Sequence, residues 1–194
     1  EDTCAIYIEG TNDTEKMEKY LEMLEKFDVV DSVIGEDIQN YKKLIDFRHK
    51  LPENVNTYFK KIGIIKVAVD AAVPEDKFEE FYRFYRKIME ENKDIHTILF
   101  GHIGENHLHF NLFPKDEKQK ERVWKIYEES VKKAISLGGT GFAEHGIGKI
   151  KHKYLEIMYG KKGILEMAKI KKIFDPFCIL CLDNIFPKEY LKLV

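Results

Sequence analysis

Residues 95–114 read IHTILFGHIGENHLHFNLFP, and this stretch decides the fold. Two apolar runs flank a glycine-containing turn, which predicts two strands, 95–100 and 107–112, joined as a hairpin. Side chains alternate along the second strand, so Leu108 and its apolar neighbours face one side, while the histidines and Asn111 face the other. We therefore expect an apolar face that packs on helices and a polar face that meets a cleft or water.

The regions on both sides of this hairpin predict a further strand and several helices. An alternating strand at 63–73 ends at Pro74, and a helix with an apolar side follows it. A charged helix at 116–136 stops at Gly138, and the last third of the chain has helical spacing. The fold class that we expect is α+β: a ferredoxin-like antiparallel sheet with helices on one face, plus a helical C-terminal segment, in a single domain of residues 1–194.

The first sixty residues also carry periodic patterns. Alternation predicts strands at 4–9 and 29–34, and a helix between them starts near Thr14, with Asn12 and Glu15 as a capping box. A second helix, 36–51, is expected to close at Pro52, because proline disfavours helix continuation.

Composition excludes several classes of protein. The 194 residues carry 32 Lys+Arg against 34 Asp+Glu, a net charge of −2 that does not suit a nucleic-acid binder. No apolar run approaches the roughly 18 residues of a membrane span. Three cysteines suggest a reducing compartment, and we expect a cytoplasmic protein that is at most peripheral to a membrane. The chain starts at Glu1 without Met, so we expect a processed form or a piece of a larger protein.

Histidines cluster in two glycine-rich segments, 101–109 and 144–148. The hairpin turn brings His102 beside His109, and a carboxylate from Glu144 completes a His-His-Glu set that suits Zn²⁺ or Mn²⁺ with an open position. The alternative is that these histidines are solvated or hydrogen-bonded without a metal. His107 is the weakest member of the cluster, because a strand edge would leave it solvated.

Arg48 interrupts an apolar helical stripe formed by Ile38, Tyr41 and Ile45. A guanidinium on the buried side of a helix needs a carboxylate, from the protein or from a substrate. The alternative is that Arg48 extends to solvent at the helix end.

Three other features have plain explanations. Lys66 and Asp70 lie on the polar face of their strand and are interpreted as a mutual ion pair. Cys178 and Cys181 have Cys-x-x-Cys spacing but no second pair, so we expect them to be buried packing residues. The glycines at 138–141 lack the Gly-Lys-Ser/Thr of a phosphate loop.

Together, the motifs resemble the C-terminal, substrate-binding domain of the FAD-linked oxidases and dehydrogenases of the vanillyl-alcohol-oxidase type. This group includes D-lactate dehydrogenase, the glycolate oxidase flavoprotein subunit and D-2-hydroxyglutarate dehydrogenase. The matching segments are 101–109 (Gly-His-x-Gly-Asp-Gly-Asn-x-His in the family), 144–148 with Lys151 (Glu-His-Gly-x-Gly and a lysine), 174–176 (Phe-Asp-Pro), 47–48 and 70–74.

The resemblance implies a role for each matching residue. A divalent metal would be held by His102, His109 and Glu144, and the catalytic base would be His145. The substrate would be bound by Arg48, Asn111 and Lys66. Lys66 lies two residues from the family's register, on the same strand face. The implied reaction oxidises a small D-2-hydroxy acid to the 2-oxo acid, with FAD bound mainly by a domain that is not in this chain.

Two segments depart from the family pattern. Residues 105–107 are Glu-Asn-His where the family has Asp-Gly-Asn, and 181–184 replace an Asn-Pro-Gly-Lys that normally touches the flavin domain. We expect this chain alone to be inactive. A non-catalytic metal- or anion-binding subunit that docks to a separate flavoprotein is the alternative, and a free-standing metal hydrolase is a third hypothesis.

Overall fold

The computed structural model describes residues 4–11, 13–35 and 37–194, which form two compact units, Glu1–Lys61 and Ile62–Val194. The first unit contains helices α1 (Thr14–Leu24) and α2 (Ile38–Lys61). Asp13 caps α1, because its side chain accepts the backbone N–H of Lys16. Asn12, the predicted cap, lies outside the described residues.

Two predictions for this unit are wrong. Helix α2 does not close at Pro52 but continues through it to Lys61. Proline removes one backbone donor, and the second half of the helix still gains from burying Phe59. Residues 4–11 and 29–35 are irregular and almost entirely exposed instead of forming strands. Alternation favours a strand only where a neighbouring strand supplies hydrogen bonds, and neither segment pairs with one among the described residues.

The second unit contains strands β1 (Val67–Ala72), β2 (His96–His102) and β3 (His107–Phe113). They form an antiparallel sheet in the order β1-β3-β2, so β3 is central. Three helices share the unit: α3 (Phe78–Glu91), α4 (Glu117–Ser136) and α5 (His152–Phe174).

The other edge of β1 is covered by a short stretch after α4. Ala72 and Thr140 exchange two backbone hydrogen bonds, of 2.8 and 3.1 Å, and Ala143 donates to the Asp70 carbonyl at 3.0 Å. This stretch takes the place of a fourth strand, reduced to isolated bridges. The α+β prediction, with an antiparallel sheet and helices against it, is confirmed.

The apolar face of the sheet packs against α3 and α4. Phe110 at the centre of β3 contacts Tyr85 of α3, with ring centroids 4.7 Å apart. Both are fully buried in a cluster that also contains Val67, Val69, Ala71, Leu112, Phe81, Val123, Tyr127 and Val131. The predicted apolar faces of 63–73 and 107–112 are therefore the ones that build the core.

Helix α5 covers a second, smaller core. Gly160 interrupts the helix with φ 64°, a backbone conformation that glycine adopts without steric cost. Beyond it, Ile164 and Ala168 pack with Phe186 and Leu191 from the C-terminal segment. Of the helices described here, none is both long and apolar enough to cross a membrane.

Candidate metal centre and active site

The sheet register brings four polar residues of three strands together. His102, the last residue of β2, pairs with His107, the first residue of β3. Asp70 of β1 pairs with His109 on the other side of β3. Because paired residues point to the same side of a sheet, the predicted polar face places these side chains next to one another.

The turn between β2 and β3 explains one departure from the family motif. Asn106 has φ 53°, in the left-handed region that asparagine tolerates better than most residues. Gly101 is required for another reason: a Cβ at this position would lie 2.1 Å from the carbonyl oxygen of His107. The turn therefore stays tight enough to keep the two strand ends together.

Asp70 is the centre of the site. Its Oδ1 lies 2.6 Å from Nε2 of His107, and 3.3 Å from Nδ1 of both His109 and His145. Its Oδ2 accepts the backbone N–H groups of Glu144 at 2.8 Å and His145 at 2.6 Å. Only 1% of Asp70 is exposed, so one buried carboxylate organises the strand and the loop that follows Ala143.

These contacts keep Asp70 ionised. Burial alone would raise its pKa, but the contact with His109, the N–H groups of His145 and Glu144, and the His107 hydrogen bond hold the pKa far below its ordinary range. An ionised carboxylate only accepts hydrogen bonds, so Nε2 of His107 donates the 2.6 Å hydrogen bond to it. The opposite ring nitrogens of His107 and His109 face Glu144.

The carboxylate of Glu144 lies close to three imidazole rings, and this side chain is 40% exposed. Nε2 of His102 lies 3.3 Å and Nδ1 of His107 lies 3.2 Å from its Oε1, and Nε2 of His109 lies 3.7 Å from its Oε2. One donor atom from each of the four residues falls within 4.8 Å of all the others. The His-His-Glu set expected from the sequence is therefore brought together, with His107 added to it.

The donor set fits a divalent metal. Ring nitrogens of His102, His107 and His109 converge with a carboxylate oxygen of Glu144, close enough together to bind one cation. The two charges of a divalent ion would balance the two nearby carboxylates, Asp70 and Glu144. Imidazole nitrogen and carboxylate oxygen are ligands that Zn²⁺ and Mn²⁺ accept.

One sequence-based interpretation is wrong. His107 is not a solvated edge residue: it is 2% exposed and lies 2.6 Å from Asp70. His109 and Asn111, on the same polar face of β3, are also buried. Because β3 is the central strand, β1 and β2 cover both of its edges, which the alternation of a single strand does not reveal.

Asp70 is the residue that the sequence interpretation missed. Its assigned partner, Lys66, forms no ion pair with it among the described residues, because the histidines occupy its oxygens. A signal was present in the sequence: an aspartate in the middle of an otherwise apolar strand, VAVDAAV, needs buried hydrogen-bond partners. Local sequence did not say which partners, since they lie 37 or more positions away.

Lys66 lies beside a cavity of about 600 Å³ that His145 also lines. Burial lowers the pKa of Lys66. Lys151 lines the same cavity, and its Nζ lies 3.4 Å from the carbonyl oxygen of Ala68. Burial lowers the pKa of Lys151 too, although the nearby Asp70 partly opposes this. The cavity is thus a basic space with an imidazole at its wall.

Two other predicted site residues have different surroundings. Asn111 follows His109 on the same face of β3 and is 2% exposed. Arg48 is a half-buried residue of α2, in the first unit. Its role as a carboxylate clamp stays a prediction.

The prediction that the cysteines are buried packing residues is wrong for Cys181, which is exposed. Cys178 is half-buried and packs against the second core. Both have positive φ, 42° and 51°, because the segment folds back on Asp175, whose carboxylate accepts the N–H groups of Ile179 and Leu180. Ile179 and Leu180 in this turn are exposed, whereas Cys178 and Leu182 pack against the second core.

Comparison with known proteins gives a consistent result. The family model "FAD linked oxidases, C-terminal domain" matches residues 3–181. Glycolate oxidase subunit GlcD of Bacillus subtilis is 38% identical over 129 residues, which cover 64% of this chain and 27% of the relative. D-2-hydroxyglutarate dehydrogenase of Arabidopsis thaliana is 31% identical over 182 residues, 91% of this chain and 30% of the relative.

A third relative is the mitochondrial D-lactate dehydrogenase [cytochrome] 1 of Saccharomyces cerevisiae, 32% identical over 120 residues, 62% of this chain and 20% of the relative. The chain thus spans between a fifth and a third of the length of these three relatives. The family match covers nearly the whole chain and includes all the residues of the site. The chain therefore belongs to the FAD-linked oxidase family and corresponds to its C-terminal domain.

Proposed function

We propose that this chain is the substrate-binding domain of an FAD-dependent oxidoreductase that converts a D-2-hydroxy acid to the 2-oxo acid. Lactate, glycolate and 2-hydroxyglutarate are the substrate types, after the names of the relatives. The observation that carries the proposal is the group of residues around Asp70, which joins a possible base, His145, to a set of metal donors.

His102, His109 and Glu144 are the proposed metal ligands, and zinc or manganese is the proposed ion. A bound divalent ion would act as a Lewis acid that makes the α-hydroxyl of the substrate more acidic. The converging imidazoles on Glu144 and the charge balance with Asp70 support this assignment.

His145 is the proposed catalytic base. Its Nδ1 faces Asp70, so its Nε2 keeps a lone pair that takes the hydroxyl proton, and its side chain is 55% exposed and open to a substrate. The C–H bond at Cα breaks with its electron pair, and the C=O bond forms as the O–H proton goes to His145. FAD, held by a domain of the same protein outside this chain, supplies the hydride acceptor.

Arg48, Asn111 and Lys66 are the proposed substrate-binding residues. A guanidinium binds a carboxylate through two parallel hydrogen bonds, which suits Arg48 to the substrate carboxylate. The burial of Asn111 on the same strand face as His109, and the presence of Lys66 and His145 in one cavity, support the other two assignments. A cytoplasmic location, with an electron acceptor still to be identified, completes the proposal.

The first test is metal analysis of the purified chain against a His102→Ala/His109→Ala double variant, with His96→Ala/His49→Ala as a matched control. We expect about one divalent ion per chain in the wild type and the control, and none in the double variant. Equal and negligible metal in all three proteins would contradict the metal site.

The second test uses the protein in which this chain is joined to its FAD-binding domain. Anaerobic addition of D-lactate, glycolate or D-2-hydroxyglutarate should bleach the flavin absorbance with one of them. If the chain instead co-purifies with a separate flavoprotein whose reduction rate does not depend on it, it is a non-catalytic metal- or anion-binding subunit. Esterase or phosphatase activity without flavin would favour a metal hydrolase.

A further inference from the structure

His107 is the residue of the site for which the family motif offers no counterpart. The motif has asparagine at this position, whereas this chain places a buried imidazole between two carboxylates. Nε2 lies 2.6 Å from Asp70 Oδ1, and Nδ1 lies 3.2 Å from Glu144 Oε1. One ring nitrogen of His107 therefore faces the buried carboxylate of Asp70, and the other faces the proposed metal ligands.

The contact with Asp70 fixes the direction of both ring nitrogens of His107. Nε2 lies 2.6 Å from Asp70 Oδ1, so the buried carboxylate holds this side of the ring. Nδ1, on the opposite side of the ring, is directed at the cluster that contains His102, His109 and Glu144. A carboxylate that holds the outer N–H of an imidazole is the usual support of a metal-bound histidine.

We infer that His107 is a third imidazole ligand, so that this chain holds its metal through three histidines and Glu144 rather than two histidines and a glutamate. Asp70 is the positioning residue of the set, since it acts on the metal only through the rings of His107 and His109. This inference rests on the proposed function, because it assumes that a metal binds at these residues at all.

The extra imidazole has a chemical consequence. Replacement of an amide by an imidazole makes the donor set richer in nitrogen, which favours Zn²⁺ and Co²⁺ over Mn²⁺ and Mg²⁺. Four protein ligands also fill a tetrahedral site. A hydroxy acid can then bind the same ion only when the coordination number of the ion rises above four.

The test is performed on the full 194-residue chain. Zn²⁺ affinity is measured by chelator competition, and the Co²⁺-loaded protein is studied by X-ray absorption to count imidazole ligands. We expect three imidazoles in the wild type and two in His107→Asn, together with a Zn²⁺ affinity that is lower by roughly tenfold or more. His96→Asn, an exposed histidine on the same sheet, is the matched control and should leave both values unchanged.

Asp70→Asn separates positioning from ligation. It should weaken Zn²⁺ binding but keep three imidazoles in the saturated protein, because the ligands themselves remain. Thermal unfolding checks that each variant is folded; if His107→Asn is not, the count in the wild type still decides. Two imidazoles in a metal-loaded wild type would overturn the role of His107 but leave the His102, His109 and Glu144 site intact. A wild type that binds no metal would overturn both proposals.

Discussion

Asp70 binds His145 at two points. Oδ2 accepts the backbone N–H of His145 at 2.6 Å, and Oδ1 lies 3.3 Å from its ring Nδ1. One carboxylate thus fixes both the place of the residue and the direction of its imidazole. A buried carboxylate that orients an imidazole suits the proposed role of His145 as a base, although His145 comes from a loop and Asp70 from a core strand.

The first prediction concerns this base. In the protein joined to its FAD-binding domain, His145→Gln should slow flavin reduction by a hydroxy acid by roughly 10²- to 10⁴-fold, the usual contribution of a general base. Metal content should stay as in the wild type, because His145 is not among the proposed ligands. Stopped-flow flavin bleaching measures the rate, His96→Gln is the control, and an unchanged rate in His145→Gln would rule out its role.

The second prediction concerns the turn between β2 and β3. Gly101→Ala would place a Cβ 2.1 Å from the His107 carbonyl oxygen, so the strand ends must separate. We expect a lower melting temperature and weakened Zn²⁺ binding. Gly104→Ala is the matched control, because nothing lies within 4 Å of the Cβ that it would add. Equal effects of the two substitutions on both measurements would refute this account of the turn.

The third prediction concerns acid stability. The 2.8 Å bond from Lys171, followed by the N–H groups of Leu180 and Ile179, lowers the pKa of Asp175. A lowered folded-state pKa contributes stability above the unfolded value of about 3.9, and this contribution is lost as the pH falls through the folded value. The difference in unfolding free energy between wild type and Asp175→Asn should therefore be largest above about pH 4 and shrink below it.

Urea unfolding at a series of pH values measures this difference. Asp46→Asn, on the exposed side of α2, should give a small and nearly constant difference over the same range. A constant difference for Asp175→Asn would mean that its carboxylate contributes no more as a charge than as a polar group.

The fourth prediction concerns the core beneath the site. Phe110 is fully buried against Tyr85, so Phe110→Ala should lower the free energy of unfolding by about 3–5 kcal/mol, as large cavities do. Phe177→Ala, at a residue that is 84% exposed, should change it by less than about 0.5 kcal/mol. Urea unfolding of both variants makes the comparison, and similar losses would place Phe110 outside the cooperative core.

Local pattern predicts the sheet well where strands have partners. Alternation identifies the apolar faces of β1 and β3, because side chains on a strand repeat with period two. The same signal fails at 4–9 and 29–34, where the described residues pair with no other strand. Proline also misleads at Pro52, since a helix that buries Phe59 beyond the proline tolerates one lost donor.

The site divides in the same way. His102, His109 and Glu144 are predictable, because the hairpin that joins the two histidines is short and the Glu-His-Gly segment is distinctive. The partners of Asp70 are not predictable from the sequence, because they depend on the register between β1 and β3 and on the path of the chain after α4. His107 is misjudged for the same reason: its position in sequence marks a strand end, whereas its burial depends on the neighbouring strands.

The link between Asp70 and the loop has a consequence for hydrogen exchange. The side chains of Glu144 and His145 are 40% and 55% exposed, yet both backbone amides donate to a carboxylate on core strand β1. Exchange at such amides requires the hydrogen bond to open. These two amides should therefore exchange as slowly as those of the strand, so that a solvent-facing loop, which carries the proposed base, has the protection of the protein interior.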